Sequence, residues 1–177
     1  VVVKSDGSIY FTDPPYGLMP GLGGKDTNQY LDFCGVYRLL PLSCELHLMV
    51  DDFKRPNGLA FSPDESLLYI DDTEVGHIRV FDVKSDGSLG IGRKFVDLKG
   101  DGPGAPDGLK IDVDGNIYCT GPGGIFVISP EGGIYGRIRM PAQTTNLSWG
   151  DSDLQSLFIT ASSSVYRLRL NIPGLPL

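Results

Sequence analysis

The chain has 177 residues, 41% of them hydrophobic and 21% charged, which suits one globular domain with an ample core. A net charge of -7 argues against a surface for nucleic acid or an anionic membrane, because both need clustered Lys and Arg. No apolar run reaches the length of a membrane span, so the expectation is a soluble protein, cytoplasmic or periplasmic.

High Gly (24) and Pro (13) suit a chain of many short strands joined by turns. The three cysteines, Cys34, Cys44 and Cys119, have no metal-type spacing and read as buried thiols.

In chain order, Val1 to Asp13 runs through an Asp-Gly turn at Asp6-Gly7 into a short apolar strand. Pro14-Pro15-Tyr16-Gly17 to Asn28 reads as a long polar loop, a surface insertion or a functional one. Two further strands follow, over 35–40 and 45–50.

Arg55-Pro56-Asn57-Gly58-Leu59-Ala60-Phe61-Ser62-Pro63-Asp64 then opens a unit that returns fifty residues later as Ala105-Pro106-Asp107-Gly108-Leu109-Lys110-Ile111-Asp112-Val113-Asp114. Each copy has Pro, a small oxygen-bearing residue, Gly, an apolar strand, an Asp turn and a second strand. Asp6 occupies the turn position of Asp64 and Asp114, which makes the N-terminal segment a third copy.

Further strands over 77–83 and 95–98 complete the first unit. Strands over 109–113, 116–120, 125–129 and 136–140 make the second. Strands over 145–149, 156–161 and 164–170 form a last, three-stranded one. No stretch has helical period, which excludes βαβ folds, and about four strands per repeat predicts the blades of a β-propeller.

The expectation is an all-β chain, residues 1–177, forming one partial propeller domain of nearly four blades. Its first blade lacks an inner strand, and the remaining N-terminal blades are missing. The complete form has six blades.

In this order and spacing, Asp6-Gly7-Ser8-Ile9-Tyr10-Phe11-Thr12-Asp13-Pro14-Pro15-Tyr16-Gly17, Arg55 to Asp64 and Pro106-Asp107-Gly108 resemble the SMP-30/gluconolactonase/LRE-like lactonases. Gly136-Arg137-Ile138, Thr145-Asn146-Leu147 and Leu157 to Ala161 are similar to that family's closing blade, and the Pro14-Pro15-Tyr16-Gly17 stretch leans to the gluconolactonase-like branch.

The resemblance implies a six-bladed propeller that hydrolyses a sugar lactone at a divalent cation in its central tunnel. Calcium comes first, with zinc, magnesium or manganese as alternatives. Asn57 and Asp107 match two metal ligands, while the family's N-terminal Glu ligand and a substrate-contacting Asn have no counterpart here.

The residue chemistry agrees, since hard cations take amide and carboxylate oxygens. Asp107 is also the candidate general base, with Asn57 binding only.

Simpler readings stand beside these. Asn57-Gly58 and Asp107-Gly108 also suit plain turns. Asp6, Asp64 and Asp114 read as hairpin turns at the opposite face. Asp71, Asp72 and Asp112 read as solvated strand ends, with Asp71 or Asp72 also placed to support the site. His47 reads as a surface residue and His77 as a residue whose loop could approach the site.

Thr145 or Asn146 takes the site position in the last repeat, and Trp149 replaces Phe61 in the core. The function alternatives are a non-enzymatic binding propeller and a metal-dependent esterase or phosphotriesterase on the same scaffold.

Overall fold

A computed structural model describes residues 1–21 and 29–176. Its fifteen strands form four antiparallel sheets, each a blade built from consecutive strands.

The first blade has β1 (Val2–Val3), β2 (Ile9–Asp13), β3 (Cys34–Leu40) and β4 (Glu45–Phe53). The second has β5 (Pro56–Phe61), β6 (Leu67–Asp72), β7 (His77–Asp82) and β8 (Arg93–Asp97). The third has β9 (Leu109–Ile111), β10 (Ile117–Gly121), β11 (Gly124–Ile128) and β12 (Ile134–Arg139). The last has β13 (Thr144–Gly150), β14 (Ser156–Ala161) and β15 (Ser164–Arg169).

The all-β partial propeller expected from the repeats is therefore present, with one correction. The first blade is four-stranded, because Val2 and Val3 pair with Tyr10 and Ile9 as a short inner strand. The expected loop after Asp13 contains a 3₁₀ turn at Pro15–Leu18, and its 22–28 portion lies outside the described residues.

The blades pack face to face, and this explains why the middle strands read as unbroken apolar runs. In β6, Leu68 and Ile70 join Tyr10, Val36 and Phe81 against the first blade, while Tyr69 turns the other way to Ile78, Leu109 and Cys119. Alternate residues point to opposite faces of a strand, so a strand between two blades needs apolar side chains at every position. Burying each such side chain contributes roughly 1.5–3 kcal/mol.

Trp149 is core, as expected. It meets Tyr118 edge-on at 5.1 Å, and its indole Nε1 donates to the Ile111 carbonyl at 3.1 Å.

The Asp turns close the hairpins at the far end of the blades. Asp6 Oδ1 accepts from the Ser8 amide and hydroxyl, and Asp64 Oδ1 accepts from Ser62, the Ser66 amide and the Ser66 hydroxyl. Those bonds hold the Asp64 carboxyl down at about 2. In the third blade Asp112 takes over the same duty, accepting from the Asp114 and Asn116 amides, the Asn116 side chain and the Tyr118 hydroxyl.

Asp71, Asp72 and Asp112 are all buried, at 0%, 1% and 0% exposure, which corrects their reading as solvated strand ends. Asp72 and Asp112 are buried because backbone amides and neighbouring side chains satisfy them. Asp72 accepts from the amides of Lys54, Arg55, Glu74 and Val75. Asp71 has no such set.

Candidate functional site

Asn57 and Gly58 do not form a tight turn. They lie inside β5, where Pro56 pairs with Asp72 and Leu59 with Ile70, so two residues oppose the single Asp71. This is a β-bulge, which re-aims a side chain at a strand end.

The blade at β13 repeats the device, with Thr144 opposite Ala161 and Asn146 opposite Thr160. That register aligns Leu147 with Leu59 and resolves the ambiguity in the last repeat: Thr145 stands where Asn57 does, and Asn146 where Gly58 does.

Both glycines are dictated by close approach between blades. A Cβ on Gly58 would lie 2.4 Å from the Asp107 carbonyl oxygen and 2.5 Å from Asp71 Oδ2. A Cβ on Gly108 would lie 2.6 Å from Asn146 Oδ1. The glycines thus let each inner loop nest on the next, which brings Asn57 and Asp107 side by side.

Asn57 Nδ2 donates to Thr73 Oγ1 at 3.2 Å. Burial pushes the Asp107 carboxyl up, and the nearby Asn57 amide opposes that rise.

Thr73 Oγ1 donates to the Pro106 carbonyl at 2.6 Å, and Thr12 Oγ1 donates to the Asn57 carbonyl at 2.8 Å. The Tyr16 hydroxyl lies by Thr73, buried and without a hydrogen-bond partner among the described residues. The Arg55 guanidinium sits 5.9 Å from the Tyr16 ring.

Asp71 lies beneath this pair. The β6, β10 and β14 registers put it in the position that Thr120 and Thr160 hold in their own blades, and those threonines bond the bulge amides of Gly108 and Asn146. In the second blade the position carries a carboxylic acid instead. Its Oδ2 accepts from Cys119 Sγ at 3.6 Å, and its buried Oδ1 has no partner.

Burial first, then the charge of Asp107, raise the Asp71 carboxyl well above the usual range. Burial also pushes the Cys119 thiol up and the Lys110 ammonium down, although Asp71 draws the ammonium the other way. A cavity of about 360 Å³ runs along the inner strands past Phe61, Lys110, Ile111 and Trp149 and touches neither Asn57 nor Asp107.

The histidines lie elsewhere. His47 is exposed on β4, 3.7 Å from Glu45. His77 starts β7, two strands outward from Pro56, and its charged neighbours are Asp72, Arg79, Asp97 and Lys94. Cys34 and Cys119 are buried as expected, whereas Cys44 is exposed.

Among the described residues no three His, Cys, Asp or Glu side chains gather as a metal cluster. The donors that Asn57 and Asp107 present are an amide and a carboxylate oxygen, a partial set of the type hard cations take.

Comparison with known proteins fits this fold. The model of the SMP-30/Gluconolactonase/LRE-like region matches residues 1–163. A gluconolactonase of Zymomonas mobilis is 40% identical over 180 residues, covering 97% of this chain and 49% of that protein.

The solved gluconolactonase of Xanthomonas campestris superposes with a TM-score of 0.84 at 36% identity, covering 98% of this chain and 55% of that one. Regucalcin of Agrobacterium tumefaciens, described as a calcium-binding protein, shares the fold at TM-score 0.71 and 22% identity over 86% of this chain and 57% of its own. The chain spans about half the length of the curated relatives it matches. With a family model covering most of its length and a relative at 40% identity, the chain belongs to the SMP-30/gluconolactonase/LRE-like family.

Proposed function

We propose that the intact protein hydrolyses a sugar lactone at the site around Asn57 and Asp107, with one divalent cation held by their oxygens. The observation that carries this reading is the pairing of the two side chains. Thr73 Oγ1, which donates to the Pro106 carbonyl, accepts from Asn57 Nδ2, so the Asn57 carbonyl oxygen remains for a cation. Relatives described as gluconolactonases support the substrate class. The relative described as calcium-binding supports calcium ahead of zinc, magnesium or manganese.

Such a cation, when bound, polarises the lactone carbonyl and lowers the pKa of a nearby water. Asp107 holds the site's negative charge and takes the water's proton on a carboxylate oxygen. Asn57 binds and does not exchange protons. Thr73 and Thr12 fix the Asn57 side chain and backbone, which keeps the pair in one geometry.

The test is a pH-stat assay of the intact protein on glucono-lactone beside an aryl ester and a phosphotriester, with and without chelator. Chelator-sensitive acid release from the lactone above the other two is expected. Preference for the ester or phosphotriester would replace the substrate class, and binding without turnover of any would make the protein a binding propeller.

A further inference from the structure

We propose that Thr73 is the positioning residue of this site, one hydroxyl that sets Asn57 and Asp107 together. The proposal rests on the reading of the Asn57 and Asp107 pair as a cation centre.

Thr73 follows β6, and its own amide is tied to the Arg55 carbonyl at 3.0 Å, two residues before Asn57. Its hydroxyl proton goes to the carbonyl of Pro106, the residue immediately before Asp107, at 2.6 Å. Having given that proton away, Oγ1 is left with lone pairs alone, so the group facing it from Asn57 must be a donor. That group is Nδ2, at 3.2 Å.

The consequence is directional. With Nδ2 turned to Thr73, the Asn57 carbonyl oxygen is the end left for a ligand. An Asn side chain could otherwise rotate by half a turn and present two N–H groups, which repel a cation. The same hydroxyl pins the Pro106 carbonyl, and Pro106 has a fixed φ, so the backbone that launches Asp107 is held from the neighbouring blade.

Thr73 thereby joins the inner loops of two blades, and it does so without offering an oxygen of its own to the ligand. The buried Tyr16 hydroxyl lies beside Thr73.

The experiment compares Thr73→Val and Thr73→Ser with the unmodified intact protein, using calcium titrated calorimetrically into metal-free protein. Circular dichroism melts confirm folding. Thr73→Val keeps the shape but removes the hydroxyl, and calcium affinity is expected to fall by roughly 10–100-fold, the range for lost outer partners of metal ligands. Thr73→Ser keeps the hydroxyl and is expected to recover most of that loss.

In parallel, the Asn57 side-chain amide resonances report its orientation without any metal. They are expected to shift, with faster hydrogen exchange, in Thr73→Val alone. Unchanged calcium affinity in Thr73→Val, with Asn57→Ala weakened, overturns the proposal. If the unmodified protein binds no calcium, the cation reading fails, and unchanged Asn57 resonances in Thr73→Val would then sink the positioning role independently.

Discussion

Asp71→Thr is expected to stabilise the protein, and more so at alkaline than at acid pH. The position is occupied by Thr120 and Thr160 in the two blades that follow, where the hydroxyl bonds the bulge amide. Asp71 is fully buried, has one unpartnered oxygen and faces Asp107, so its carboxyl loses its proton only well above the usual range.

An unfolded Asp ionises near about 3.9. Between that pH and the raised folded value, the folded state holds a proton that the unfolded state has released. Stability therefore falls as pH rises, by about 1.4 kcal/mol per pH unit for one proton. Below pH of about 4 both states are protonated, and only the unsatisfied oxygen remains, at roughly 1–3 kcal/mol.

Urea unfolding of metal-free wild type and Asp71→Thr at pH 4.5 and 7.5 measures both contributions. The variant should gain the smaller amount at the lower pH and clearly more at the higher one. A variant that is less stable at pH 7.5 would refute the reasoning, because Asp71 would then be a satisfied, charged residue.

Two other perturbations follow from the packing. Gly58→Ala places a methyl 2.4 Å from the Asp107 carbonyl, forcing two blades apart, and a loss of about 1–3 kcal/mol in thermal or urea unfolding is expected together with weaker calcium binding. Asp64, held at about 2 by its serine bonds, adds stability that is present above pH of about 4 and lost as pH falls towards 2. The side chain is exposed, so the contribution is under about 1 kcal/mol, and Asp64→Ala should flatten the acid limb of the stability profile without moving the neutral value by more than that.

Much of the architecture was legible because it is repeated. The Asp-Gly and Asp turns, the apolar strands between them and the Pro-Asn-Gly and Pro-Asp-Gly openings recur at fixed offsets, and each copy corroborates the others. The equivalent placement of Asn57 and Asp107 in successive blades followed from the same logic.

What escaped the sequence depends on contacts between blades. The bulge at Asn57-Gly58 looks like a turn dipeptide until Asp71 is seen opposite it. Asp71, Asp72 and Asp112 look alike as strand-end acids, yet two are saturated with hydrogen bonds and one is not. Thr73 carries no motif, since its role rests on a carbonyl 33 residues away. The one available signal was the exchange of Thr for Asp at position 71 across aligned blades.

The measurement that decides between a cation centre and a set of structural polar residues is calcium titration of the intact, metal-free protein and its Asn57→Ala and Asp107→Asn variants. One site is expected in the wild type, with affinity reduced in each variant by more than the roughly 10–100-fold that outer partners cost. Wild-type affinity in both variants would contradict the assignment of Asn57 and Asp107.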